Sequence, residues 1–103
     1  MILHRATDIK VWRQEVKAKT CEYCRICGRP GHDPHHIATR HHEFFKLIVE
    51  NGIWVCRKCH IWIGKDRKKA DEIIKSIAGD ELWDILQNRD IKNLNTIIIR
   101  KVS

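Results

Sequence analysis

An α+β class, with helices on either side of two short strands, is what this sequence predicts, and three observations predict it. The chain has 103 residues, room for one ordinary core and not for two. Its five cysteines fall as Cys21, Cys24 and Cys27 and then Cys56 and Cys59, so each group contains a C-x-x-C pair. Around the second group the apolar pattern passes from short extended stretches to helical spacing. A chain this short buries a modest apolar area, and a metal or disulfide staple is expected to help it fold.

The first element is a helix over 8–19. Ile9, Trp12 and Val16 recur at i, i+3 and i+7, one stripe of a 3.6-residue period, and Thr7 or Asp8 can cap it. Residues 20–34 read as knuckle and loop, punctuated by Gly28, Pro30, Gly31 and Pro34. A short strand is expected over 35–39. The connection over 40–51 should turn Phe44, Phe45, Leu47 and Ile48 inward. Asn51-Gly52 is a good turn dipeptide, and 53–55 follows as a second short strand.

A helix over 57–63 should begin inside the second knuckle and end with Gly64 at its C′ position. Asp66 can cap a further helix through Ala78, burying Ala70, Ile73, Ile74 and Ile77, with Gly79 as its stop. Asp80 caps another, with Leu82, Ile85 and Leu86 inward. Residues 96–102 have strand propensity but no evident partner. Trp12, Trp54 and Trp62 are expected in the core.

The spacing of the cysteines carries chemistry. Cys24-Arg-Ile-Cys27 and Cys56-Arg-Lys-Cys59 each bring two thiolates to one ion from a tight turn, and Gly28 permits the backbone that turn needs. A structural zinc held by Cys24, Cys27, Cys56 and Cys59 is therefore expected. Cys21-Glu-Tyr-Cys24 is also a C-x-x-C pair, but Gly28 favours the later register and leaves Cys21 as a free thiol or filler. The odd count argues against a disulfide framework. Residues 1–13 hold no signal-peptide apolar segment, and no apolar run approaches ~18 residues, the length of a membrane span. The expected setting is intracellular and cytoplasmic, with no membrane partner.

Charge points to a partner. The chain carries 20 Lys+Arg against 13 Asp+Glu, a net charge of +7. Residues 1–69 hold 15 and 7 of these and residues 70–103 hold 5 and 6, so the positive field sits on the segment with the cysteines. That is the footprint of a phosphate backbone. Arg40, Lys65, Arg67, Lys68 and Lys69 are the candidate nucleic-acid contacts. His41 and His42 read as phosphate contacts or solvated loop residues, and His4 and His32 carry no signal.

The remaining histidines have a pattern. Cys24-x-x-Cys27-Gly28, Asp33-Pro34-His35-His36-Ile37 and Asn51-Gly52-Ile53-Trp54-Val55-Cys56-x-x-Cys59-His60 resemble the HNH endonucleases, also called His-Me or ββα-metal finger nucleases. Trp12-Arg13 and Val16 resemble the helix that leads into the first knuckle of zinc-containing members. The likeness covers about residues 10–64 of what would be one domain over 1–103, with 65–103 a helical extension. It implies a small ββα-metal core with zinc knuckles, flanked by an N-terminal helix and C-terminal helices. It also implies metal-dependent hydrolysis of DNA, duplex above all, to 5′-phosphate and 3′-hydroxyl ends by nicking or cleavage.

In that resemblance His36 is the general base, Asn51 ties the loop that orients it, and His35 and His60 hold a catalytic divalent metal. Magnesium or manganese is implied first, nickel or zinc next. Adjacent strand residues point to opposite sides, which suits one histidine on metal and the other on water. Position 64, where some relatives carry another His, is Gly, so two protein ligands remain. Small proteins of this kind resemble phage, mobile-element or restriction nucleases. The competing reading is a four-cysteine zinc ribbon that binds nucleic acid without cutting it. It explains the cysteines and the charge but gives His35, His36, Asn51 and His60 nothing to do.

Overall fold

A two-stranded antiparallel hairpin, covered on both faces by helices, carries the residues of interest. A computed structural model describes residues 1–38, 43–87 and 97–102. Strand β2 is Asp33–His36 and strand β3 is Gly52–Val55, paired so that Asp33, Pro34, His35 and His36 face Val55, Trp54, Ile53 and Gly52. The strand begins two residues before the expected 35–39. Pro34 is tolerated because β2 is paired on one side only. All four residues of β3 are buried. Alternation sends Trp54 to one face and Ile53 and Val55 to the other.

Helix α1, Ile9–Ala18, covers the first face. Asp8 caps it, its Oδ1 accepting the Val11 N–H at 2.8 Å. Trp12 and Val16 are buried with Trp54, Ala6 and Val49, and burial of each such side chain stabilises by roughly 1.5–3 kcal/mol. Ile9 departs from the expected stripe and is 49% exposed; in the first helical position it reaches the rim of a cleft and not the hairpin. Gly52 lets α1 approach β3 closely. A Cβ there would meet both Val16 methyl groups and lie 2.8 Å from Trp12 Cζ2. Gly52→Ala is thus expected to cost about 1–3 kcal/mol by overpacking, read as a lower urea midpoint with unchanged slope.

Helix α2, Arg57–Lys65, and helix α3, Arg67–Ala78, cover the second face, with Ile63, Ala70 and Ile74 against Ile53 and Val55. Gly64 does not end α2 as expected. The helix runs through it to Asp66, whose N–H bonds to Trp62 O at 2.9 Å and whose Oδ1 accepts the Lys69 N–H at 3.4 Å. One residue therefore closes α2 and caps α3. Ile73, expected inward, is 39% exposed. Gly79 stops α3 with φ +88. Helix α4, Asp80–Gln87, follows at once and buries Leu86; Asp80 lies inside its first turn, and Gly79 O accepts the Trp83 N–H at 2.9 Å in the capping place.

The expected inward connection also holds Phe45, Ile48 and Val49 in the core and ends in a 3-10 turn over Val49–Asn51. Phe44, Leu47 and Trp62 are only partly buried. The unplaced strand of the sequence is β4, Ile98–Val102, and it pairs in parallel with β1, Ile2–Ala6. Strand β1 has no counterpart among the expected elements. Four helices and two small sheets among the described residues make an α+β fold. No helix among them is long and apolar enough to cross a membrane.

Candidate metal centre and histidine cleft

Both knuckles are anchored on β3, and that is why four cysteines meet. Val55 runs directly into Cys56, the N-cap of α2, whose Sγ accepts the Cys59 N–H at 3.4 Å. The first knuckle docks alongside through Arg25 N–H to Trp54 O, 2.8 Å. Its turn closes with Gly28 N–H to Cys24 O at 2.9 Å, and Gly28 has φ +78, the left-handed conformation glycine adopts freely. The Sγ atoms of Cys24, Cys27, Cys56 and Cys59 all lie within 4.8 Å of one another. Cys27 and Cys56 stand 3.7 Å apart, close to the ~3.8 Å edge of a tetrahedron with ~2.3 Å zinc–sulfur bonds. Cys21 is exposed, in a left-handed turn with φ 51 after α1, and is outside the group.

The thiols also have the electrostatics of a cation site. Burial pushes the Cys24 thiol up, but N–H groups of Cys27, Cys56 and Ile26 stabilise the thiolate and bring it down to about 7. Burial and then the neighbouring sulfurs push the Cys59 thiol well above its ordinary value. Four thiols packed this closely ionise together only around a positive ion. The cluster is compatible with zinc.

The histidines part at β2. His35 faces α2, and its ring meets that of His60 edge-on with centroids 5.6 Å apart. Its Nε2 is buried without a hydrogen-bond partner. Burial, then the positive fields of His60, Arg67 and His36, push its pKa down to about 4, so at neutral pH it is an uncharged imidazole with a lone pair to give. His36 faces α1. Its ring stacks on Trp12 at 3.9 Å with planes 9° apart, and its Nε2 lies 3.1 Å from Lys46 O. A carbonyl only accepts, so the neutral ring carries its proton on Nε2 and its lone pair on Nδ1. Trp12 is itself fixed by its Nε1–H to Ile48 O, 2.8 Å.

Asn51 is fully buried and joins the two ends of the loop between β2 and β3. Its Oδ1 accepts the Ala38 N–H at 2.6 Å, and its Nδ2 donates to Ala38 O at 3.1 Å and Phe45 O at 3.0 Å. Phe45 adjoins Lys46, whose carbonyl meets His36. Asn51→Ala would strand the Ala38 N–H and C=O at about 1–3 kcal/mol each, while Phe45 O keeps the Ile48 N–H at 3.1 Å, so a loss of at least about 2 kcal/mol is expected in urea unfolding. Its weight falls on the fold as much as on His36.

An open cleft of about 750 Å³ runs along the unpaired edge of β2, lined by Lys10, Trp12, Arg13, Asp33, Pro34, His36, Lys46 and His60 together with Ile9. Being an edge strand, β2 offers side chains of both faces to one groove. Lys10, Arg13 and Lys46 were not among the expected nucleic-acid contacts; the first two lie at i and i+3 away from the buried stripe of α1, which is the signal that finds them. Arg13 also sits 5.4 Å over the Trp54 ring and donates to His32 O at 3.1 Å. Lys65, Arg67, Lys68 and Lys69 are exposed at the α2–α3 junction, with Arg67 Nε 3.2 Å from Asp71 Oδ1. Arg40, His41 and His42 lie outside the described residues. His4 has a partner after all, Glu50, through both its backbone N–H and its Nδ1, the latter at 3.0 Å.

No family model matches the chain, and neither does any curated protein or solved structure.

Proposed function

We propose that this chain is a metal-dependent endonuclease of the HNH type, cutting duplex DNA to 5′-phosphate and 3′-hydroxyl ends. The observation that carries this reading is the division of the two adjacent histidines: His35 turns to His60 while His36, its tautomer set by Lys46 O, lines one cleft with His60, Lys10, Arg13 and Lys46. The β2–β3 pair followed by α2 supports a ββα-metal core, and the four sulfurs support a structural zinc that holds both knuckles against it.

Each residue then has a chemical task. Lys10, Arg13 and Lys46 hold phosphate oxygens in the cleft. His36 Nδ1 accepts a proton from water, whose oxygen attacks phosphorus while the bond to the 3′ oxygen breaks. The 3′ oxygen leaves as a hydroxyl, its proton drawn from solvent. His35 and His60 would hold a divalent cation, magnesium or manganese before nickel or zinc, which supplies charge neutralisation at the phosphate and the leaving oxygen. Trp12 and Asn51 keep His36 in place.

The cationic run past α2 supports DNA as partner. Replacing Lys65, Lys68 and Lys69 by Gln should flatten the slope of log K against log salt by roughly three times ~0.9 if each meets a phosphate. An unchanged slope would assign these lysines to a solvated surface. Among the described residues the four cysteines are the only group of three or more His, Cys, Asp or Glu side chains close enough to hold one ion, which favours one second reading, a zinc-ribbon module that binds nucleic acid without cutting it. Nicking of supercoiled plasmid with a panel of divalent metals separates the two.

A further inference from the structure

Two grooves meet on α1. Lys10 and Arg13 line the cleft of His36 and His60, and both also line a neighbouring groove of about 450 Å³. The walls of that second groove include Lys17, Glu22, Gly31 and Trp54. Gly31 keeps it open beside the indole, since a Cβ there would collide with Trp54 Cδ1. Lys10, Arg13 and Lys17 recur at i, i+3 and i+7, one stripe turned away from buried Trp12 and Val16. Seven residues of helix rise about 10.5 Å, and the phosphates of one strand recur every ~3.4 Å along a duplex axis. The stripe therefore matches roughly three phosphate steps. Like charges at i and i+4 repel, and Arg13 and Lys17 stand in that relation. Trp54 seats both, with Arg13 Cζ 5.4 Å and Lys17 Nζ 5.9 Å from its ring centroid, within cation–π range. Arg13 is fixed further by its bond to His32 O at 3.1 Å. Glu22, 3.4 Å from Lys17 Nζ, is the one carboxylate among the described residues that line this groove. Three cations facing one carboxylate leave an anion to be supplied from outside.

We infer that the groove carries the backbone of a DNA strand onward from the cleft, with Lys17 as a phosphate contact beyond Lys10 and Arg13 and Glu22 as the internal competitor for Lys17. The inference rests on the reading of the cleft as a DNA site and adds the direction in which the bound duplex runs, along α1 toward Trp54. Trp54 is 3% exposed, so it is a seat for cations and not a platform for bases. The groove touches phosphates, which position the duplex and carry no sequence information.

The test is fluorescence anisotropy of a short labelled duplex titrated with the zinc-loaded full chain over a range of salt, without added divalent metal so that nothing is cut. Lys17→Gln should flatten the slope of log K against log salt by ~0.9, and Lys10→Gln with Lys17→Gln by about twice that. Lys75→Gln, the same loss of charge on the exposed side of α3, should leave the slope as it is. Glu22→Gln should tighten binding several-fold at low salt and lose most of that gain when Lys17→Gln is added. An unchanged slope in Lys17→Gln, or equal flattening by Lys75→Gln, would overturn the inference, as would unchanged affinity in Glu22→Gln. Absence of any DNA binding by the unsubstituted chain would instead overturn the reading of the cleft as a DNA site. Zinc content and far-ultraviolet circular dichroism report folding of the variants. Should they not fold, acetylation of the unsubstituted chain decides. Bound duplex should protect Lys10 and Lys17 and leave Lys75 reactive, and equal reactivity of Lys17 with and without DNA would overturn the inference.

Discussion

Cys24→Ser, or removal of zinc by a strong chelator, should leave the chain without a cooperative unfolding transition. Cys24 and Cys56 are buried in the main core with Ile53, Val55 and Ile63, so the thiols are part of the packing and not an appendage to it. Structural zinc contributes ~10–16 kcal/mol in small finger peptides. A domain of this size has a net stability of about 5–15 kcal/mol, so losing the ion removes as much as the fold has to lose. The first knuckle would then be held to β3 only by hydrogen bonds such as Arg25 N–H to Trp54 O, Trp54 Nε1–H to Glu22 O and His32 N–H to Val55 O, and α2 would lose the anchor at its N-cap. Cys21→Ser should change nothing measurable, because Cys21 is exposed and outside the cluster. Zinc content by elemental analysis and thermal unfolding by circular dichroism check both. A folded, zinc-free Cys24→Ser protein would show that the four sulfurs are merely neighbours.

His36→Ala should lower the rate of DNA cleavage by ~10²–10⁴, the usual loss when a general base is removed. Fold, zinc and DNA affinity should stay as they are. His36 is half-buried at the mouth of the cleft, and Trp12 keeps its bond to Ile48 O without it. The structural cost includes the stacked ring and the exposed bond to Lys46 O, on the order of 1–2 kcal/mol together. Trp12→Phe should act in the same direction but less, since a phenyl ring still packs on the imidazole while the tie to Ile48 O is lost.

Much of the site was legible because ligand chemistry demands local spacing. The C-x-x-C pairs, with Gly28 to choose between Cys21 and Cys27, named the four sulfurs that meet. Strand alternation separated His35 from His36. The caps at Asp8 and Asp66 and the stop at Gly79 followed from local backbone chemistry. What stayed hidden depends on partners distant in sequence. Strand β1 is a short segment whose ladder partner lies at 98–102, and nothing local to either announces a parallel pair. Gly64 reads as a stop until Asp66 is seen to serve two helices. The carbonyl of Lys46 has no side-chain signature at all.

The central claim is that the cleft along β2 hydrolyses DNA with His36 as its base. Supercoiled plasmid incubated with zinc-loaded protein and magnesium or manganese tests it most directly, with His36→Ala and a reaction lacking the added metal run alongside. The account predicts nicked circles, ends that ligase can reseal, no product without the added metal, and almost none from His36→Ala at equal DNA binding. Cleavage by His36→Ala at the unsubstituted rate, or tight DNA binding with no cleavage under any metal, would contradict it and leave a zinc ribbon that binds without cutting.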